Sequence, residues 1–215
     1  MSPRRLVFFL SVCALAFLWS AIALMVSGTR FEYRNMIESI RAGQVPPDPQ
    51  ALATAIASYR AGMRLAPCNA ALHQDMALLL GQQADASPEQ DADVPLEQMQ
   101  DELATRLSCS PADGKAWLDF ATLDIYREGF TKRALGAYRM SAQVAPGESW
   151  LAEKRLLFAL QFRPLLDAAA MQVARNDLAV LKRAHPNRMG EVIRLAELKD
   201  EPALYAVFAT GASAQ

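Results

Sequence analysis

The pattern of apolar and polar positions opens with an unbroken apolar run, Leu6 to Val26 (LVFFLSVCALAFLWSAIALMV), 21 residues without a charge and interrupted in polarity only by Ser11 and Ser20. As a helix it reaches roughly 32 Å at ~1.5 Å per residue, enough to cross a bilayer core. A helix buried in a soluble core is rarely apolar all round. The run therefore reads as a retained signal anchor over residues 1–28. A cleaved signal peptide is the competing reading, since Arg4 and Arg5 make a basic head and Val26-Ser27-Gly28 passes for a weak cleavage site, but the run is longer than a usual signal core. Next, RFEYRNMIESIRA (30–42) places Met36, Ile37 and Ile40 in a short stripe at helical spacing, with Gly43 as its stop. Pro46, Pro47 and Pro49 then break the chain direction. Residues 29–49 are expected to be a juxtamembrane helix and proline-rich linker that separate the anchor from a domain over 50–210.

Within that domain the punctuation recurs. Ala134, Tyr138 and Pro146 have the same mutual spacing as Ala55, Tyr59 and Pro67, as Met99, Leu103 and Pro111, and as Ala174, Leu178 and Pro186. The four prolines are separated by 44, 35 and 40 residues, the period of a helical-hairpin repeat with insertions. A small residue lets one helix approach its neighbour, a large one a turn later fills the gap, and the proline two turns on stops the helix. The other helix of each hairpin follows the proline: Trp117 lies six after Pro111, Trp150 lies four after Pro146, and Gly129 closes WLDFATLDIYREG. The chain is expected to be all-α.

The segment AWLDFATLDIYREGFTKRALGAYRMSAQVAP resembles a tetratricopeptide repeat, with Trp117, Gly129, Ala134, Tyr138 and Pro146 near the family's marked positions. Trp117 to Gly129 is one residue longer than the family pattern, and Ser141 stands where the family has alanine. The resemblance spans roughly residues 50–186 and implies an α-α superhelix of helical hairpins with a concave groove, not a particular activity. In one register the groove is lined by Asp119, Leu123, Tyr126 and Arg127; in the other, one residue away, by Leu118, Thr122 and Ile125. A fainter resemblance, over PGESWLAEKRLLFALQFRPLLDAAAMQVARNDLAVLKR, is to anchored repeat proteins associated with bacterial exopolysaccharide production. Arg155 and Asp177 would be its marked polar positions; read from the residues alone they are solvated charges or a local ion pair.

Charge changes the picture little. The net charge is −1, yet residues 69–114 hold nine acidic groups and one basic, and residues 151–199 nine basic and five acidic. No basic stripe interleaved with aromatics suggests nucleic acid. The run QQADASPEQDADVP (82–95), with Asp85, Glu89, Asp91 and Asp93, lacks the glycine and ligand order of a calcium loop and reads as an exposed acidic loop. With His73 and His185 the only histidines, no metal site, catalytic triad or cofactor motif can be assembled. His185 reads as a helix-end cap, and Asp119 and Asp124, five apart, do not share a face.

Orientation is not fixed by the flanking charges: Arg4, Arg5 and the amino terminus stand against Arg30, Arg34 and Arg41, diluted by Glu32 and Glu38. The short N-terminal tail is what a signal anchor leaves in the cytoplasm, which puts the C-terminal domain in a bacterial periplasm as a single-pass inner-membrane protein. There Cys68 and Cys109, on one hairpin edge of consecutive units, can pair, whereas Cys13 is a passive residue of the span. Two functions remain. The first is a non-enzymatic envelope scaffold whose groove binds a protein partner. The alternative is a carbohydrate-handling accessory or weak glycan enzyme, with Trp117, Trp150 and Tyr126 as stacking surfaces. Exposure of both tryptophans favours the second reading, their burial the first.

Overall fold

The computed structural model describes residues 3–44, 48–88 and 91–188. Among these every regular element is helical: α1 (Pro3–Glu32), α2 (Arg34–Arg41), α3 (Pro49–Leu65), α4 (Ala70–Ala86), α5 (Asp93–Cys109), α6 (Gly114–Glu128), α7 (Lys132–Val144), α8 (Ser149–Gln161) and α9 (Ala168–Ala184). The expected all-α class holds. Pro46 and Pro47 of the expected linker, Glu89 of the acidic run and the part of the expected repeat domain beyond residue 188 lie outside the described residues. The chain divides into two compact units, Met1–Pro111 and Ala112–Gln215.

The prolines set the helix ends. α3, α5, α7 and α9 each stop two residues before a proline, and the residue between takes nearly the same backbone conformation every time: φ −137°, ψ 71° at Ala66; φ −140°, ψ 74° at Ser110; φ −137°, ψ 59° at Ala145; φ −144°, ψ 65° at His185. The proline ring bars its predecessor from the α region, so these ends follow from sterics. Two residues beyond each of the first three prolines, Asn69, Asp113 and Glu148 begin α4, α6 and α8 with φ between −79° and −82° and ψ between 94° and 99°. The side chains of Asn69 and Asp113 accept the first free backbone N–H groups, Asn69 from Ala71 and Leu72, Asp113 from Ala116. The repeated apolar phase faces inward: Ala55, Tyr59, Leu103, Ala134, Tyr138, Ala174 and Leu178 are buried and Met99 is half-buried.

In the first unit α4 pairs with α5, while α3 packs on α4 and α1 on α3. Ile22, Val26 and Thr29 of α1 and Tyr33 just past its end, spaced four, three and four apart, face α3, and Val26 and Ile37 join the core of Leu52, Ile56, Tyr59, Leu72 and Met76. The juxtamembrane segment is thus not the separate stalk the prolines suggested. Its helix α2 is separate from α1, the two being broken at Tyr33. The expected loop over 82–95 is also corrected. α4 runs through Gln82, Gln83 and Asp85 to Ala86, and α5 begins at Asp93. Alanine and glutamine favour helix, so only 87–92 is left as connection.

In the second unit α6 pairs with α7 and α8 with α9. Gly129 turns the first hairpin at φ 76°, a conformation that only glycine adopts at low cost. Thr131 then caps α7, accepting from the Ala134 N–H at 3.0 Å. Tyr138 stacks on Phe158 with ring centroids 4.9 Å apart, and Phe158 meets Phe162 edge-on at 5.0 Å. Gly114 opens α6 where a side chain has no room: a Cβ there would stand 2.6 Å from the Ala145 Cβ and 2.9 Å from Leu151.

Candidate functional site

The expected groove residues divide between surface and core. Leu123 and Leu118, one from each possible register, are both buried in the second unit. Tyr126 is 75% exposed, Thr122 is exposed, and Asp119 and Arg127 are half-exposed. Lys115, Asp119, Thr122 and Tyr126, at offsets of four, three and four, therefore form the open face of α6, with Lys115 and Asp119 paired along it. That face mixes the two registers. With Leu118, Ala121 and Leu123 turned into the core, Asp119 and Thr122 are left on the outward side.

Asp124 takes the opposite side of the same helix and is fully buried. Thr131 donates to its Oδ2 and Arg133 to its Oδ1. Burial alone would raise this carboxyl, but the bonds from Arg133 and Thr131 outweigh it and hold it below the usual range. The Arg133 guanidinium also lies over the Phe120 ring, 5.7 Å from its centroid.

Two further polar clusters were not foreseen. Asp75, buried on α4, accepts from Arg30 Nε of α1 at 3.0 Å, from Arg41 Nη2 of α2 at 2.7 Å and from the Tyr59 hydroxyl of α3 at 3.3 Å. One carboxylate thus ties four helices together, and burial beside it pushes the Tyr59 phenol far above its ordinary range. On the same helix His73 sits between two acceptors. Its Nδ1 is 2.6 Å from Glu102 Oε2 of α5, and its Nε2 is 2.7 Å from the Pro67 carbonyl. A neutral imidazole has one N–H, so serving both acceptors requires the imidazolium.

Arg155 and Asp177 are neither solvated nor local. Both are buried, and they form a two-point pair between α8 and α9, with Nε to Oδ2 at 2.9 Å and Nη2 to Oδ1 at 2.6 Å. The remaining Arg155 nitrogen donates to the carbonyls of Ser141 and Ala145 at 3.3 and 3.2 Å. His73 and Arg155 thus do the same work in the two units. Each is a buried cation on the helix after a proline corner and donates to backbone carbonyls at that corner, His73 to Pro67 and Arg155 to Ser141 and Ala145. Their carboxylates correspond too, since Glu102 and Asp177 each lie nine residues before a proline.

The first corner is also covalently tied: Cys68 and Cys109 form a disulfide with Cα atoms 5.3 Å apart. His185 caps α9 and approaches Ser149 Oγ at 3.2 Å. Trp150 is 47% exposed, whereas Trp117 is half-buried against the core of the second unit. Among the described residues no group of three His, Cys, Asp or Glu side chains converges as a metal site would. No protein-family model matches the chain, and no characterised protein matches its sequence. The tetratricopeptide resemblance rests on the quoted residues and on the recurring proline corners.

Proposed function

We propose that this chain is a single-span, membrane-anchored scaffold of the bacterial cell envelope, its helical hairpins on the periplasmic side, binding a protein partner along the open face of α6. The observation that carries the placement is the Cys68–Cys109 disulfide in the domain that follows an apolar helix. Structural disulfides persist in oxidising compartments and are rare in the cytosol. α1 supplies the anchor, with a stretch from Val7 to Glu32 long and apolar enough to cross a membrane and its most apolar window unburied. The partner surface is the strip of Lys115, Asp119, Thr122 and Tyr126, where an exposed tyrosine offers the amphipathic contact that binding surfaces favour. The glycan-handling alternative draws on Trp150 and Tyr126; Trp117 contributes to packing instead.

The test combines topology and binding in intact cells. A membrane-impermeant maleimide should label no thiol of the native domain and two after reduction and unfolding. Labelling of both without reductant would overturn the bridge, and labelling of neither even after reduction and unfolding would overturn the placement. A photo-crosslinker at Tyr126 should capture a discrete protein partner that the same group at Arg175, on α9, does not. Identical capture from both positions would remove the assigned face.

A further inference from the structure

Resting on the reading of α1 as a membrane span, we propose that the first proline corner, Leu65, Ala66 and Pro67, is seated in the acyl–headgroup boundary of the bilayer that α1 crosses, with lipid acyl chains filling the cleft between corner and span. α3 runs back along α1. The Tyr33 hydroxyl meets Ser58 at 3.1 Å at one end of the contact, and at the other the corner reaches the level of Trp19. There Trp19, Ile22 and Val26 form one wall, and Leu65, Ala66 and Pro67 the other, of an open cleft of about 480 Å³.

Lengths along the helix decide the depth. From Val26, where the apolar run ends, back to Trp19 is about 10 Å. If the hydrocarbon ended at Trp19, clear of the corner, the stretch from Leu6 to Trp19 would have to span it alone. That is roughly 21 Å against a core of ~30 Å. The bilayer must therefore rise past Trp19 toward Val26, and the corner facing those residues goes with it.

The corner is built for that position. Leu65 is 46% exposed although it is a large apolar side chain beside the span. Proline has no N–H to leave unpaired, the Pro67 carbonyl accepts from His73, and the Ala66 carbonyl accepts from the Asn69 N–H at 3.1 Å. Backbone groups near hydrocarbon need such internal partners. Arg64, exposed on the last turn of α3, lies where a long cationic side chain can reach lipid phosphate.

The test places single nitroxide labels on the full chain, in a Cys13→Ser background, in phosphatidylcholine vesicles. The labelled variants are Leu15→Cys in the span, Leu65→Cys and Arg64→Cys at the corner, and Ala57→Cys two turns up α3. Collision with oxygen should exceed collision with a water-soluble nickel chelate at 15 and 65, with the order reversed at 57 and position 64 shielded relative to 57. Chelate access at 64 and 65 equal to that at 57, with 15 still embedded, overturns the seated corner and leaves the anchor standing. Chelate access at 15 overturns the anchor itself. Arg64 is exposed, so position 64 reports even if substitution at Leu65 perturbs the fold.

Discussion

A histidine between a carboxylate and a carbonyl has only one protonation state that serves both. The hydrogen bond to Glu102 raises the His73 pKa above its ordinary 6.5, against the opposing effect of burial. Because the folded-state value lies above the unfolded one, the stabilisation is complete below about pH 6.5 and is lost as the pH rises through the raised value. Melting temperatures measured from about pH 6 to about pH 9 should therefore fall more steeply for the native chain than for His73→Gln. Parallel curves would mean the ring is neutral. Arg155 and Asp177 allow a sharper test. Arg155→Met strands a buried carboxylate and should cost about 3–5 kcal/mol in chemical denaturation. Adding Asp177→Leu should recover most of that loss, but not the roughly 1 kcal/mol for each carbonyl bond that Arg155 makes to Ser141 and Ala145. A double variant no better than the single would show that the charge balance of the pair is not what matters. His73 was not singled out in the sequence, and Arg155 and Asp177, marked only through the fainter resemblance, read from the residues as solvated charges or a local ion pair. A buried His or Arg looks like any other until its partner is known, and the partners lie 29 and 22 residues away.

The elements that were legible are those whose ends local sterics dictate. A proline fixes its predecessor and halts the helix whatever surrounds it, so Pro67, Pro111, Pro146 and Pro186 gave the ends of α3, α5, α7 and α9 directly. The acidic run misled because its charges suggested solvent, whereas Gln82, Gln83, Ala84 and Ala86 are good helix formers next to an apolar face. The groove was legible as a helix but not as a face: the two expected registers differ by one residue, about 100° of rotation, and burial of both Leu118 and Leu123 matches neither of them. Two predictions belong to this scale. The Cys68–Cys109 bridge spans a sequence separation of 41. On the chain-entropy account, the paired Cys68→Ser/Cys109→Ser variant should therefore lose about 4 kcal/mol in urea unfolding. A change below measurement error would show that the native contacts, not the crosslink, hold the corner. Gly114→Ala should cost about 1–3 kcal/mol, since its Cβ would press on the buried Ala145 and Leu151 and on the Ser141 backbone carbonyl.

For the molecule as a whole, the consequential departure from the sequence reading concerns the anchor. The prolines at 46, 47 and 49 implied a domain that begins after them and stands by itself. Yet Val26 and Ile37 lie in the core of the first unit, and Asp75 is neutralised by Arg30 and Arg41 from the segment the prolines seemed to set apart. A chain truncated to begin at Asp48 would uncover Leu52, Ile56 and Tyr59 and leave Asp75 with only the Tyr59 hydroxyl, an uncompensated charge at a newly opened surface. Water can reach that carboxylate once α1 and α2 are gone, so the penalty falls mainly on lost apolar burial. Hydrogen exchange read by mass spectrometry should show α3 and α4 losing protection in the truncated chain compared with the full chain in detergent, with peptides from α6 and α7 as the internal reference. Full retention of protection in α3 and α4 would mean that the anchor rests on a domain already complete without it. Selective loss would mean that the first hairpin unit folds only where its membrane helix is in place, joining assembly of the domain to insertion of the anchor.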